Sequence, residues 1–142
     1  MYKWMYMFVV LVFLTINACT AITSSPQEAG DTQQLRISNI GSEGIQDLSV
    51  VLPGETPTEV VRIHFGDVSA GETTEYQAIP GGVYRFAAYE YRLNNETAYQ
   101  GVVDWLGEEP LVGTQFTYQI TLDTARVQGD QIQLITVLTD SN

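Results

Sequence analysis

The feature that most constrains the fold of this chain is a repeated alternation of apolar and polar residues. In the run TQFTYQITLDT, every second position is apolar, at Phe116, Tyr118, Ile120 and Leu122. Successive side chains of a β-strand point to opposite faces, so this spacing predicts a strand with one buried face. From Gln33 onward, no apolar spacing of three and four persists over a helix length, and the region is predicted to be all-β.

Similar runs recur along the chain, with turn signals such as Pro80-Gly81-Gly82 between them. The predicted strands are LRISNI (35–40), IQDLSVVL (45–52), VVRIHF (60–65), TTEYQAI (73–79), VYRFAAYEYRL (83–93), AYQGVVDW (98–105), TQFTYQITLDT (114–124) and QIQLITVLTD (131–140). Seven or eight strands, spaced roughly 8–12 residues apart, predict a single antiparallel β-sandwich over residues 33–142. A domain of this length can bury a core without disulfides.

The longest predicted strand, VYRFAAYEYRL, alternates inconsistently. Tyr84 and Phe86 share one face, whereas Tyr89 and Tyr91 share the other. A β-bulge inserts one extra residue and changes the face that the following side chains occupy. We therefore predict a bulge near Ala87–Ala88, which would direct both pairs of aromatic residues inward.

The first 18 residues have the composition of an export signal. A twelve-residue apolar run, MYMFVVLVFLTI (5–16), follows a single positive charge at Lys3. A membrane-spanning helix needs ~20 apolar residues, so this run has the length of a signal peptide. The segment also has two other possible interpretations. It could be an ordinary cleavable signal, with the cysteine at position 19 incidental, or an uncleaved anchor that continues to Ile22.

Cys19 is the only cysteine of the chain. The segment Ile16-Asn17-Ala18-Cys19 resembles the bacterial lipobox, with an aliphatic residue three positions before a cysteine and a small residue directly before it. The resemblance implies cleavage before Cys19 and its lipidation, so that residues 1–18 are a lipoprotein signal peptide and residues 19–32 a lipidated, flexible tether. Two or three acyl chains, at ~0.8 kcal/mol per buried CH₂, anchor a protein stably.

The expected location is therefore the cell envelope, with the domain on the extracytoplasmic side of a membrane that holds the lipid on Cys19. Thr20 follows the cysteine. In an envelope with two membranes, the lack of an aspartate at this position resembles the signal for sorting to the outer membrane.

Four phrases of the strand region carry a second resemblance, namely FGDVSAGETTEY, GGVYRFAAYEY, VVDWLGEEPL and GTQFTYQITL. They are similar to segments of small bacterial lipoproteins with one Ig-like or fibronectin-like sandwich domain. The resemblance implies the fold, an Ig-like or fibronectin III-like sandwich, and export. It carries over no catalytic residue.

Charge excludes one class of partner. After removal of residues 1–18, five arginines face 17 acidic residues, which gives a net charge of −12. Phosphates of nucleic acids and of anionic lipid headgroups need Lys and Arg as partners, so we expect no nucleic-acid binding. The excess of carboxylates is typical of a soluble, acidic surface.

Aromatic residues are one candidate binding site. Trp105 and the tyrosines Tyr84, Tyr89, Tyr91 and Tyr99 would form a flat platform for sugar rings if they were exposed together. Aromatic residues also supply the large side chains of a sandwich core, because Trp and Tyr bury well when their polar atoms find partners. The core interpretation is favoured for the group as a whole.

Acidic residues and one histidine are the remaining candidates. Asp104, Glu108 and Glu109 form the densest carboxylate cluster, and oxygen ligands on a loop suit Ca²⁺. Their spacing matches no calcium loop, and a solvated acidic loop is favoured over a calcium site or a glycoside-hydrolysing pair. His64, the only histidine, falls beside Arg62 and away from the apolar face of its strand, as expected for a sheet-surface residue.

These observations predict a lipid-anchored protein of the cell envelope that presents an interaction surface and catalyses no reaction. We expect a protein of the envelope or a polysaccharide as its partner, and no cofactor or metal. A carbohydrate-binding module that uses Trp105 and nearby tyrosines is the alternative, and a small hydrolase is the third possibility.

Overall fold

The computed structural model describes residues 32–56, 58–102, 105–125 and 131–140. The eight strands in this part of the chain are β1 (Gln34–Asn39), β2 (Ile45–Pro53), β3 (Val60–Val68), β4 (Gln77–Ala78), β5 (Ala88–Leu93), β6 (Glu96–Gln100), β7 (Gln115–Leu122) and β8 (Ile132–Asp140). Within the described ranges, no helix is long and apolar enough to cross a membrane. The predictions for the signal peptide, Cys19 and Asp104 fall outside the described residues.

The strands form two four-stranded sheets, and the predicted β-sandwich is confirmed. The first sheet has the order β4-β1-β7-β8 and the second has the order β3-β2-β5-β6. The described strand pairs are antiparallel except for β1 and β7, which run parallel with Leu35 opposite Phe116. A parallel pair needs a long connection, and here the chain builds the whole second sheet between β1 and β7.

The core lies between the two sheets and follows the predicted alternation. Fully buried apolar side chains come from β1, β2 and β7, namely Leu35, Ile37, Leu48, Val50, Leu52, Phe116, Tyr118 and Ile120. The strand β2 is central in its sheet, and its opposite face is also covered, since Ser49 and Val51 are buried as well. The inner faces of the two sheets thus form one hydrophobic layer, as expected for a sandwich.

The predicted bulge near Ala87–Ala88 is wrong, because residues 83–87 are not part of a strand. The ladder between β2 and β5 begins with Val51 opposite Ala88 and continues without interruption to Ser49 opposite Glu90. Before Ala88, backbone groups bind side chains instead of a neighbouring strand: the Val83 N–H donates to Gln33 Oε1, and the Tyr84 carbonyl accepts from the Tyr118 hydroxyl. Tyr84 is therefore buried outside any strand.

Amide side chains connect segments that the strand ladders leave apart. Asn39 is fully buried and its Nδ2 donates to the carbonyl of Val68, at 3.2 Å, in the opposite sheet. Gln100 donates to the Ile132 carbonyl at 2.7 Å and accepts from the Ile132 N–H at 2.8 Å, which joins β6 to β8. Each bond satisfies a backbone group that burial would otherwise leave unpaired.

Stability is expected to fall at alkaline pH because of buried tyrosines. Burial raises the pKa of Tyr89 and Tyr118 well above the ordinary value of 10.0, and burial also raises the pKa of Tyr76, with a further contribution from its hydrogen bond to Asp140. The folded chain therefore holds these protons more tightly than the unfolded chain. Their contribution is fully present below pH 10 and is lost as the pH rises above it.

The variant Tyr89→Phe tests this linkage, because the buried Tyr89 hydroxyl has no hydrogen-bond partner among the described residues. Urea unfolding between about pH 8 and about pH 11 should show equal or higher stability than wild type at the lower pH and a shallower decline above pH 10. A decline identical to that of wild type would contradict the assignment of proton linkage to Tyr89.

Candidate binding groove

A groove opens at one end of the sandwich, between two loops. One wall is the β2–β3 connection with its flanking residues, 53–56 and 58–60, and the other is the loop 105–108. Tyr84 lines it from the segment before β5, and the volume of the groove is about 560 Å³. We call these residues the groove. Its volume lies within the range of roughly 300–1,000 Å³ that is typical of ligand sites.

Tight turns shape both walls. In the first wall, the Gly54 N–H donates to the Glu59 carbonyl at 2.8 Å, and the Glu59 N–H donates to the Thr56 carbonyl at 3.1 Å. In the second wall, the Glu108 N–H donates to the Trp105 carbonyl at 3.0 Å, with Gly107 at a φ of 79°. Glycine adopts this φ without steric cost, so the turn presents Leu106 at its tip.

Trp105 is the largest side chain of the groove, and its position is fixed. The indole is half-buried and packs against the hydrophobic core. Its Nε1–H donates to the Phe86 carbonyl at 3.0 Å. Because this bond uses the only polar group of the indole, the part of Trp105 that faces the groove offers a ligand an apolar ring surface.

The groove carries negative charge. Glu55, Glu59 and Glu108 are exposed on its walls, and none of its described lining residues is basic. Three arginines of the domain lie in ion pairs elsewhere, namely Arg36 with Asp140, Arg62 with Glu90, and Arg92 with Asp47. Apolar surface accompanies the charge, since Val60 is 61% exposed and Leu106 is 91% exposed.

The predicted aromatic platform does not assemble. Tyr89 and Tyr91 are 2% and 3% exposed, and they belong to the core because β5 directs them inward between the sheets. As ligand-binding residues they are therefore wrong. Tyr99 is 64% exposed, but it lies on the outer face of the second sheet opposite Glu90 and does not line the groove. Trp105 and the largely buried Tyr84 are the members of the set that line it.

The predicted calcium residues are only partly described. Glu108 and Glu109 are exposed, and Glu108 faces the groove across from Glu55 and Glu59. Asp104 lies outside the described residues. Within the described ranges, no group of three or more His, Cys, Asp or Glu side chains is close enough to hold a metal ion.

His64 lies on the outer face of the second sheet, as predicted, beside a serine and an aspartate. Ser49 Oγ is 3.3 Å from His64 Nδ1, and Asp47 Oδ1 is 3.8 Å from the same Nδ1. In a catalytic triad, the serine and the aspartate bind different ring nitrogens, so that one nitrogen takes a proton while the other is held. This cluster therefore lacks the geometry of a triad.

Comparison with known proteins finds no matching family model, no similar curated protein and no similar solved structure.

Proposed function

We propose that this protein is a lipid-anchored β-sandwich of the bacterial cell envelope that binds a partner through the groove and catalyses no reaction. The observation that supports this proposal is the combination of exposed apolar side chains, at Val60 and Leu106, with a fixed indole at Trp105. Apolar surface rimmed by charged residues is characteristic of interaction sites. Both loops extend from a packed sandwich, which holds them in place for binding.

The position of the groove relative to the proposed anchor supports a role near the membrane. Glu55 lines the groove and also a second cavity that includes Thr32, where the described chain begins. The groove therefore lies at the end of the sandwich where the described chain begins. If Cys19 carries the lipid, residues 20–32 have a root-mean-square reach of about 20 Å, from ~5–6 Å × √n.

The variant Cys19→Ser tests the anchor. We expect the wild-type chain to sediment with membranes and to show an intact mass that starts at Cys19 with added acyl groups. The variant should lack the acyl mass, because serine has no thiol to form the thioether that carries the lipid. An unmodified wild-type chain that starts at another residue would contradict the proposal.

Site-specific photo-crosslinking in native membranes tests the groove itself. A photoreactive residue at Leu106 should give one defined adduct, and the same residue at Thr124 should give none. Thr124 is an exposed position beyond the far end of β7. The adduct should disappear when Trp105→Ala is added. Equal adducts from both positions, or none from either, would contradict a binding role for the groove.

A carbohydrate partner is the second candidate, because an indole beside carboxylates also suits a sugar ring. The aromatic contribution is small, since Trp105 is not joined by Tyr89, Tyr91 or Tyr99 in the groove. Binding of envelope polysaccharide to the wild-type chain, with loss in Trp105→Ala and not in Tyr99→Ala, would favour this candidate over a protein partner.

A further inference from the structure

We propose that the groove takes a basic, extended segment of a partner protein, in which a lysine or arginine stands next to an aliphatic residue. This inference rests on the proposed function, since it assigns the chemistry of the groove's ligand. The evidence is the charge of the walls and the exposed apolar surface that lies beside it.

Charge complementarity selects a cationic ligand. Three glutamates, Glu55, Glu59 and Glu108, line the groove without a basic residue among its described members. A cation placed between these carboxylates also meets the ring surface of Trp105, and ammonium and guanidinium groups bind indole faces favourably. A neutral ligand would leave the carboxylates without a positive charge beside them, and an anionic ligand would be repelled.

The apolar part of the groove requires more than a cation. Val60 and Leu106 are 61% and 91% exposed and line the same opening as the glutamates. An aliphatic residue of the ligand would cover them and release water from both surfaces. An extended peptide that carries both kinds of side chain satisfies the two requirements, whereas a simple polyamine satisfies only the first.

Two other occupants are disfavoured by their own charge. The tether of this chain, residues 20–32, contains two acidic residues and no basic residue. A second copy would bring a net charge of −12, and three of its five arginines are held in ion pairs, at Arg36, Arg62 and Arg92. A foreign basic segment meets neither obstacle.

Calorimetric titration of the full chain in a non-ionic detergent tests the inference. The probes are a short synthetic peptide of alternating lysine and leucine, the same peptide with glutamate in place of lysine, and a neutral oligosaccharide. We expect binding of the lysine peptide alone, and a marked loss of affinity when salt is raised from about 0.02 M to about 0.5 M, because partly exposed charges are screened.

Variants locate the site on the protein. Trp105→Ala should weaken binding of the lysine peptide by at least about tenfold, as for a central aromatic contact. Glu59→Gln should weaken it about three- to fivefold, whereas the matched control Glu43→Gln, an exposed glutamate at the opposite end, should leave it unchanged. Leu106→Ser provides a second groove variant at a side chain that is 91% exposed, should Trp105→Ala fail to fold.

The outcomes separate this inference from the proposed function. Binding of the oligosaccharide but not of the lysine peptide, with dependence on Trp105, would overturn the basic-segment inference and leave the groove as a binding site. Lysine-peptide binding that Glu59→Gln and Glu43→Gln weaken equally would show a non-specific effect of net charge and would also overturn it. No binding of any probe, together with no adduct from Leu106, would overturn both proposals.

Discussion

Replacement of Gln33 by glutamate is expected to lower the free energy of unfolding by about 3 kcal/mol. The Gln33 Nε2 donates to the carbonyls of Leu111 and Gly113, at 2.6 and 2.9 Å, and the Oε1 accepts from the Val83 N–H at 2.6 Å. This one side chain therefore joins the start of the domain to two segments that are remote in sequence, the segment before β5 and the segment before β7. A carboxylate cannot donate, so two carbonyls would lose their partners and face a negative charge.

Urea unfolding at neutral pH measures this effect, and Gln46→Glu is the matched control. Gln46 is an exposed glutamine on β2, and the change there should alter stability by less than about 0.5 kcal/mol. Gln33→Ala should lie between the two, because it removes the three bonds without adding charge. Equal stability of Gln33→Glu and Gln46→Glu would show that the Gln33 side chain does not hold these segments together.

Gly81→Ala is expected to destabilise the fold by about 3 kcal/mol through two effects. Gly81 has a φ of 81°, a conformation that costs a residue with a Cβ roughly 1–2 kcal/mol. A Cβ at this position would also lie 2.7 Å from the carbonyl carbon of Gly54. Gly54 belongs to the wall of the groove, and backbone cannot move aside as a flexible side chain does, so a clash adds to the cost.

Gly71→Ala separates the two effects. Gly71 has nearly the same φ, 75°, but a Cβ there would meet no atom within 4 Å. Thermal or urea unfolding should therefore show a loss of about 1–2 kcal/mol for Gly71→Ala, and roughly 1–2 kcal/mol more for Gly81→Ala. Equal losses would mean that the contact between Gly81 and Gly54 contributes nothing to the placement of the β2–β3 loop.

Most strands could be predicted from the sequence because burial between two sheets leaves a period of two. The residues Phe116, Tyr118 and Ile120 on β7, and Leu48 and Val50 on β2, show this period and form the core. The outward position of His64 followed from the same rule. Alternation identifies a strand and its two faces, but it does not identify the neighbouring strand, so the parallel pairing of β1 with β7 could not be predicted.

Other features depend on tertiary contacts that leave no local pattern. β5 begins only at Ala88 because side chains bind the backbone of the preceding residues. Gln33 accepts from the Val83 N–H, and the Tyr118 hydroxyl donates to the Tyr84 carbonyl. The inward placement of Tyr89 and Tyr91 depends on which face of β5 meets the first sheet. Neither the alternation of apolar residues nor the composition of the chain shows whether Tyr89 and Tyr91 lie in the core or on the surface.

The sequence predicted some of the residues that line the groove but not the groove itself, for the same reason. Trp105, Tyr84 and Glu108 were candidates because aromatic residues and clustered carboxylates suggest ligand sites. Glu55 and Glu59 were not, since the loop that carries them is separated from Trp105 by more than 40 residues and nothing in the sequence brings the two loops together. Trp105 lies beside the segment before β5 because its indole binds the Phe86 carbonyl, and β5 pairs with β2, which leads into the loop that carries Glu55 and Glu59.

Binding in the groove is tested most directly by nuclear magnetic resonance on the ¹⁵N-labelled full chain, which maps the residues that a ligand contacts. The Nε1–H of Trp105 reports on the groove, and the lysine–leucine peptide is the probe. We expect shift changes at the Trp105 indole and in residues 54–56, 58–60 and 105–108, with none on the outer face that carries His64 and Tyr99. Changes confined to that outer face, or spread evenly over the acidic surface, would contradict it.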